Sequence, residues 1–199
     1  MPATQSADAA PKRRADVERN ERALLDAAGK VFAASGVDAT VREVAAAAGV
    51  GMGTLYRHFP TRADLVIAVY RHQIDACADA GPALLASASS PFAALLEWVH
   101  LFVDFLGTKH GLARLMQGDP TGFSTLHALF LDRLVPVLAD LVAAARATGE
   151  VVAEISAYEL LRAVGDLSAW KVPDPNYDVR RIVTLLVTGL RQEQPQPKD

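Results

Sequence analysis

Thr54, Tyr56, Arg57 and His58 place a hydroxyl, a phenol, a guanidinium and an imidazole within five consecutive residues. A catalytic use of this set has little support. The chain has no G-x-S-x-G, no phosphate-binding glycine loop, no H-E-x-x-H and no paired cysteines. What such side chains do well is donate hydrogen bonds to phosphate oxygens and to base edges. Arg42 and Thr40, a little upstream, belong to the same stretch, TVREVAAAAGVGMGTLYRHFPTR, residues 40–62.

The elements that position these groups can be read from the spacing. Thr40 and Glu43 have capping-box spacing, and Val44, Ala45 and Ala48 give the following helix one apolar face. Gly49 ends that helix, because glycine adopts the left-handed conformation at little cost. Val50 plugs the turn and Gly51 opens a second helix of about two turns, with Leu55 and Phe59 inward, four apart. Pro60 stops it, and Thr61 and Asp64 repeat the box-like pair. A helix this short does not persist alone in water. It must be held by a neighbour and offer its other face, Met52, Gly53, Thr54, Tyr56, Arg57 and His58, to something else. Two short helices around a tight turn form a helix-turn-helix.

The run resembles the DNA-binding segment of the TetR family of bacterial transcriptional regulators. The resemblance is carried by Thr40, Ala45, Gly49, Val50, Gly53, Thr54, Leu55, Tyr56, His58 and Phe59, and extends over roughly residues 17–65. Where members usually carry a polar residue such as Ser, and often a Lys, this chain has Gly51 and Met52. The resemblance implies a helical ligand-responsive regulator, most often a repressor. It would act as a homodimer on a palindromic double-stranded DNA operator, until a small-molecule effector changes the spacing of its two reading heads. Arg42 and Thr54 are the expected base-edge contacts, with Met52 against a thymine methyl and Gly53 in the same DNA-facing set. Thr40, Tyr56, His58 and Arg62 are expected at phosphates.

Composition agrees. The 199 residues are 51% hydrophobic and 22% charged, with net charge −3 and a pI near 5.9. The charge is uneven: residues 1–62 carry a net +2 and residues 63–199 a net −5, the sign expected of a basic reader on a more acidic body. Cys77 is the one cysteine, so no internal disulfide forms and a cytoplasmic location is expected. No apolar run reaches ~18 residues, so no membrane span is expected. The polar, Ala-rich N-terminus does not read as a signal peptide. Cofactors are not expected. A non-sensing DNA-binding protein is the main alternative. A helical enzyme is a weaker one, since it would leave the first 62 residues unexplained.

The expected fold is all-α: a three-helix DNA-binding domain followed by a body of about six helices. Residues 1–15, with the basic arm Lys12, Arg13 and Arg14, read as disordered, and residues 16–62 as the DNA-binding domain. Residues 63–193 read as the ligand-binding and dimerisation domain. A helix from Asp16 to Ala34 ends at Ser35–Gly36, and one from Thr61 to Ala80 ends at Gly81–Pro82. Ser90 and Pro91 open a helix to Leu106, a short helix spans Gly111–Gln117, and a long one from Phe123 to Thr148 should kink at Pro136. Ser156 and Glu159 box a helix to Trp170, and a last helix runs from Asn176 to Gln192. Trp98, Phe102, Phe105, Met116, Phe123, His127 and Phe130 are the candidate effector-cavity lining, with a solid aromatic core as the competing account. Leu160, Val164, Leu167, Ile182, Leu186 and Gly189 are the expected dimer interface. His100 and Asp104, four apart, have the spacing of a metal pair, but without a third ligand no metal is expected.

Overall fold

The computed structural model describes residues 9–108, 120–169 and 176–191, and among these every regular element is an α-helix. In chain order they are α1 (Ala9–Ser35), α2 (Val41–Ala47), α3 (Met52–His58), α4 (Arg62–Ser87), α5 (Pro91–Gly107), α6 (Pro120–Ala147), α7 (Ala157–Leu167) and α8 (Val179–Gly189). The chain divides into two compact units after His72, so α4 contributes to both.

In the first unit α1 begins at Ala9, inside the stretch expected to be disordered. Ala, Lys and Arg are strong helix formers, and Pro11 falls in the first turn, where its missing N–H has no intrahelical partner to lose. The helix ends where Gly36 takes φ 75° and its N–H bonds Phe32 O at 2.9 Å. Thr40 then caps α2 in a complete box: its hydroxyl accepts from Glu43 N, and Glu43 Oε2 accepts from Thr40 N at 2.6 Å. The Thr40 backbone N–H, and after it the Thr40 hydroxyl, donate to the Glu43 carboxyl and hold it below the usual carboxylate range. Gly49 turns the chain at φ 66°, and Val50 N reaches back to Ala45 O at 3.0 Å. Leu24, Leu25, Ala28, Phe32, Val44, Ala45, Leu55 and Phe59 form the buried core.

This unit was expected to end at residue 62, and it reaches His72 instead. The first turns of α4 bury Leu65, Val66 and Val69. Two polar bonds fasten them: Arg62 donates to Val37 O, and His72 Nε2 pairs with Asp26 Oδ1 of α1 at 2.7 Å.

In the second unit α5 is the central helix, packed against α6, α7 and α8. Ser90 caps it, accepting from Ala93 N, with Pro91 at its first position. The expectation that Gly81–Pro82 ends α4 is corrected: the helix continues to Ser87 with Pro82 inside it. Gly81 is there for space. A Cβ at Gly81 would lie 2.2 Å from Val137 Cγ1 of α6 and 3.7 Å from the Trp98 ring of α5. Pro82 removes the hydrogen bond to Ala78 O, and one residue earlier Cys77 O accepts from Trp98 Nε1 at 2.8 Å. Helix α6 runs from Pro120 to Ala147 with Pro136 inside it.

The Ser156–Glu159 box opens α7 as expected, and the helix ends at Leu167, short of Trp170. Helix α8 is shorter than its predicted span, because Asp178 caps it by accepting from Arg181 N at 3.0 Å. The predicted Gly111–Gln117 helix lies outside the described residues.

Candidate functional site

The DNA-facing set is carried by α2 and α3. Leu55 and Phe59 are buried, and α3 offers Gly53, Thr54, Tyr56, Arg57 and His58 to solvent. Tyr56 is 47% exposed, unusual for so large a ring. Arg42 is exposed on α2, as a base-edge contact requires. Met52 is half-buried, near the inward side of α3, which limits its reach toward a thymine methyl.

Two residues expected at phosphates also make bonds within the chain. The Thr40 hydroxyl donates to Glu43 Oε2 at 2.8 Å, and its backbone N–H is taken by the same oxygen. Both Thr40 donors are thus engaged in the capping box that starts α2. Arg62 is half-buried, with one guanidinium nitrogen on Val37 O, so it joins α4 to the turn after α1. Its other nitrogens keep donor capacity. Arg57 is the residue sequence reasoning placed on the outward face without giving it a role. The wheel held the signal, since Arg57 stands two residues from each of the two buried positions, Leu55 and Phe59.

The second unit holds the aromatic set. Trp98, Phe102, Phe105 and Phe130 are buried in mutual contact. Ring centroids lie 5.7 Å apart for Trp98 and Phe102, 5.9 Å for Phe102 and Phe130, and 6.1 Å for Phe105 and Phe130. The stack continues outward along α6 through His127, 5.9 Å from Phe130, to Phe123, 6.5 Å from His127 and 41% exposed. These six rings form one ladder from the interior to solvent. Met116 lies outside the described residues. Near the ladder, Thr108 is buried and its hydroxyl bonds Phe105 O at 2.7 Å and the Gln73 side chain at 2.9 Å.

The expected dimer residues divide. Leu160 and Val164 are buried within the chain itself, because α7 turns them toward α5 and α6, so they cannot meet a partner. Leu167, Ile182 and Leu186 are half-buried and Gly189 is exposed. Tyr158, 50% exposed on α7, and Leu185, 61% exposed on α8, were not among the expected interface residues.

His100 and Asp104 do not face a common ion. His100 Nε2 meets Thr184 Oγ1 at 2.8 Å and Asp104 meets Arg180 at 3.1 Å, both on α8. Burial, then Arg180, push the His100 pKa down, partly offset by Asp104. Burial also pushes the Cys77 thiol up to about 12, which leaves it inert. Among the described residues no cluster of three or more potential ligands could hold a metal, and no helix is long and apolar enough to cross a membrane.

Residues 24–69 match the family described as bacterial regulatory proteins, tetR family, and residues 90–192 match the C-terminal domain of SbtR-like transcriptional regulators. A 58-residue stretch is 48% identical to the HTH-type transcriptional repressor LfrR of Mycolicibacterium smegmatis, covering 29% of this chain and 30% of that repressor. The curated relative is thus matched over less than a third of its length. Two solved structures are similar over nearly their whole length. The TetR transcriptional regulator SCO0520 of Streptomyces coelicolor is 32% identical, with a TM-score of 0.72 over 86% of this chain and 98% of that one. A TetR regulatory protein of Mycobacterium vanbaalenii is 31% identical, with a TM-score of 0.66 over 90% and 99%. The chain belongs to the TetR family of bacterial transcriptional regulators, and it is a DNA-binding regulator of transcription.

Proposed function

We propose that the chain is a homodimeric repressor that occupies a palindromic operator and is released by a small, mainly hydrophobic or aromatic effector. The observation that carries this reading is the solvent-facing surface of α3, where Thr54, Tyr56, Arg57 and His58 are exposed while Leu55 and Phe59 are buried. A catalytic reading has no comparable constellation to rest on. Two copies on one face of a duplex set their reading heads ~34–36 Å apart. Tyr56 and His58 hold phosphates, while Arg42 and Thr54 reach base edges.

The test is operator binding by variants. Tyr56→Phe is expected to weaken binding to all duplexes about equally, because a phosphate contact carries no sequence information. Arg42→Ala is expected to relax preference at one base position in each half-site. Gel-shift titration against single-base operator variants reads both, and uniform loss for Arg42→Ala would remove it from the base contacts.

Pairing is assigned to the outer faces of α7 and α8. Leu185 on α8 is largely exposed, so Leu185→Asp leaves the protomer core alone. Light scattering is expected to give the monomer mass for this variant with its helical content unchanged. A persistent dimer would move the interface away from α8.

The effector is assigned to the outer end of the aromatic ladder, where Phe105, Phe123, His127 and Phe130 offer ring faces and one polar group. For release, the effector must favour one head spacing over the other, since a ligand with equal affinity for both shifts nothing. Helix α4 is the covalent route between the units, with residues 62–72 in one and 73–87 in the other.

A further inference from the structure

We propose, resting on the operator-binding reading above, that Arg57 is the principal base-reading side chain of α3 and that it selects a guanine in each half-site. At ~100° per residue, Arg57 lies about 200° from both Leu55 and Phe59. It therefore points straight away from the buried side of the helix. The neighbours of that direction are empty or short. Gly53, one turn earlier, has no side chain, and a Cβ there or at Gly51 would meet nothing within 4 Å. Thr54 flanks Arg57 with a side chain only three heavy atoms long.

The remaining polar groups of α3 sit nearer the inward side. Tyr56 and His58 flank it, and the His58 ring lies 6.2 Å from that of Phe59. Met52 is half-buried. When a helix lies in the major groove, its outermost direction meets the base edges and its flanks meet the phosphate walls. Arg57 is thus the one long cationic side chain that α3 directs at the groove floor. Among the described residues it has no ion pair or hydrogen bond to give up. The missing side chains at Gly51 and Gly53 let the backbone approach closely, which shortens the distance the guanidinium must span. An arginine delivered to base edges pairs best with guanine, donating two hydrogen bonds to O6 and N7. Arg57, about one and a half turns on, compensates for the few base-contacting groups at Gly51 and Met52.

The experiment is selection of duplexes from a random library by the full chain and by Arg57→Ala and Arg57→Lys, each checked for helical content. Selection is followed by titration of the winning operator with 7-deazaguanine at each guanine. The unaltered chain is expected to prefer guanine at one position per half-site by about 5- to 150-fold, and to lose affinity when N7 at that position is removed. Arg57→Ala is expected to accept any base there while keeping the rest of the palindrome, and to ignore the 7-deaza substitution; Arg57→Lys, whose ammonium can still donate to O6 or N7, is expected to keep a reduced guanine preference. The lysine variant keeps the charge and loses the planar fork, so a guanine preference weaker than that of arginine marks bidentate base reading, whereas phosphate attraction alone would leave the preference of the two chains the same. Equal weakening on all sequences, or unchanged guanine preference in Arg57→Ala, overturns the assignment while leaving the operator reading standing. An unaltered chain that enriches no palindrome overturns the operator reading, and this one with it.

Discussion

Phe102→Ala is expected to cost about 3–5 kcal/mol of stability, the range for removing a buried aromatic ring. Phe102 is 1% exposed, and its ring is closed in by Trp98, Phe105 and Phe130 at centroid distances of 5.7, 6.2 and 5.9 Å. Three aromatic neighbours cannot all follow a methyl group inward, so most of the ring's volume would be left empty. Denaturant unfolding reads the loss as a lowered midpoint with an unchanged slope. Phe123→Ala is the internal control: at 41% exposure, with only the His127 ring stacked on it, it should cost about 0.5–1.5 kcal/mol, well below Phe102→Ala. A small loss for Phe102→Ala would mean that the ring lines a pre-formed cavity. The expected large loss assigns Trp98 and Phe102 to the core, and confines an effector to the rings beyond them, Phe105 on α5 and Phe123, His127 and Phe130 on α6.

That distinction could not be drawn from the chain alone. The i, i+4, i+7 spacing of Trp98, Phe102 and Phe105 says that they share one face of α5. It does not say whether the facing helix is near or far. Phe130 and Gly81 decide that, and they come from two other helices remote in sequence.

Local signals were far more legible. The boxes Thr40–Glu43 and Ser156–Glu159 and the Ser90–Pro91 start are complete within four residues, and all three open helices where the pattern placed them. Gly36 and Gly49 adopt positive φ at helix ends, as the stops at those residues required, and Gly149 does the same after α6. The candidate DNA surface was legible for the same reason. Leu55 and Phe59 determine its orientation within one short helix, and the exposure of Thr54, Tyr56 and Arg57 follows from theirs. The dimer set was less so: the wheel of α7 shows an apolar face at Leu160 and Val164, but those residues serve the protomer's own core.

Gly81 is the clearest failure of local reasoning, and its replacement makes the sharpest test of the second unit. Glycine before proline reads as punctuation, yet α4 passes through both. On propensity alone Gly81→Ala in a helix interior should stabilise by up to ~1 kcal/mol. The neighbours reverse the sign. Val137 Cγ1 would stand 2.2 Å from the new Cβ, far inside the ~3.5–4.0 Å of a carbon–carbon contact. Valine is stiff at χ1 in a helix, so its methyl cannot swing aside without a backbone shift. Nor can α4 retreat freely, because Trp98 Nε1 holds Cys77 O one turn earlier at 2.8 Å. Overpacking of this kind costs typically 1–3 kcal/mol for a few added carbons. Gly81→Val, with three added carbons and a weaker propensity gain than alanine, is therefore expected to lose about 3 kcal/mol or more. Gly81→Ala and Val137→Ala complete a double-mutant cycle. The pair is expected to be more stable than the sum of the single losses predicts, with a coupling of about 0.5–3 kcal/mol. Additive losses, or a Gly81→Val chain as stable as the parent, would mean that α4 and α6 do not meet at Gly81.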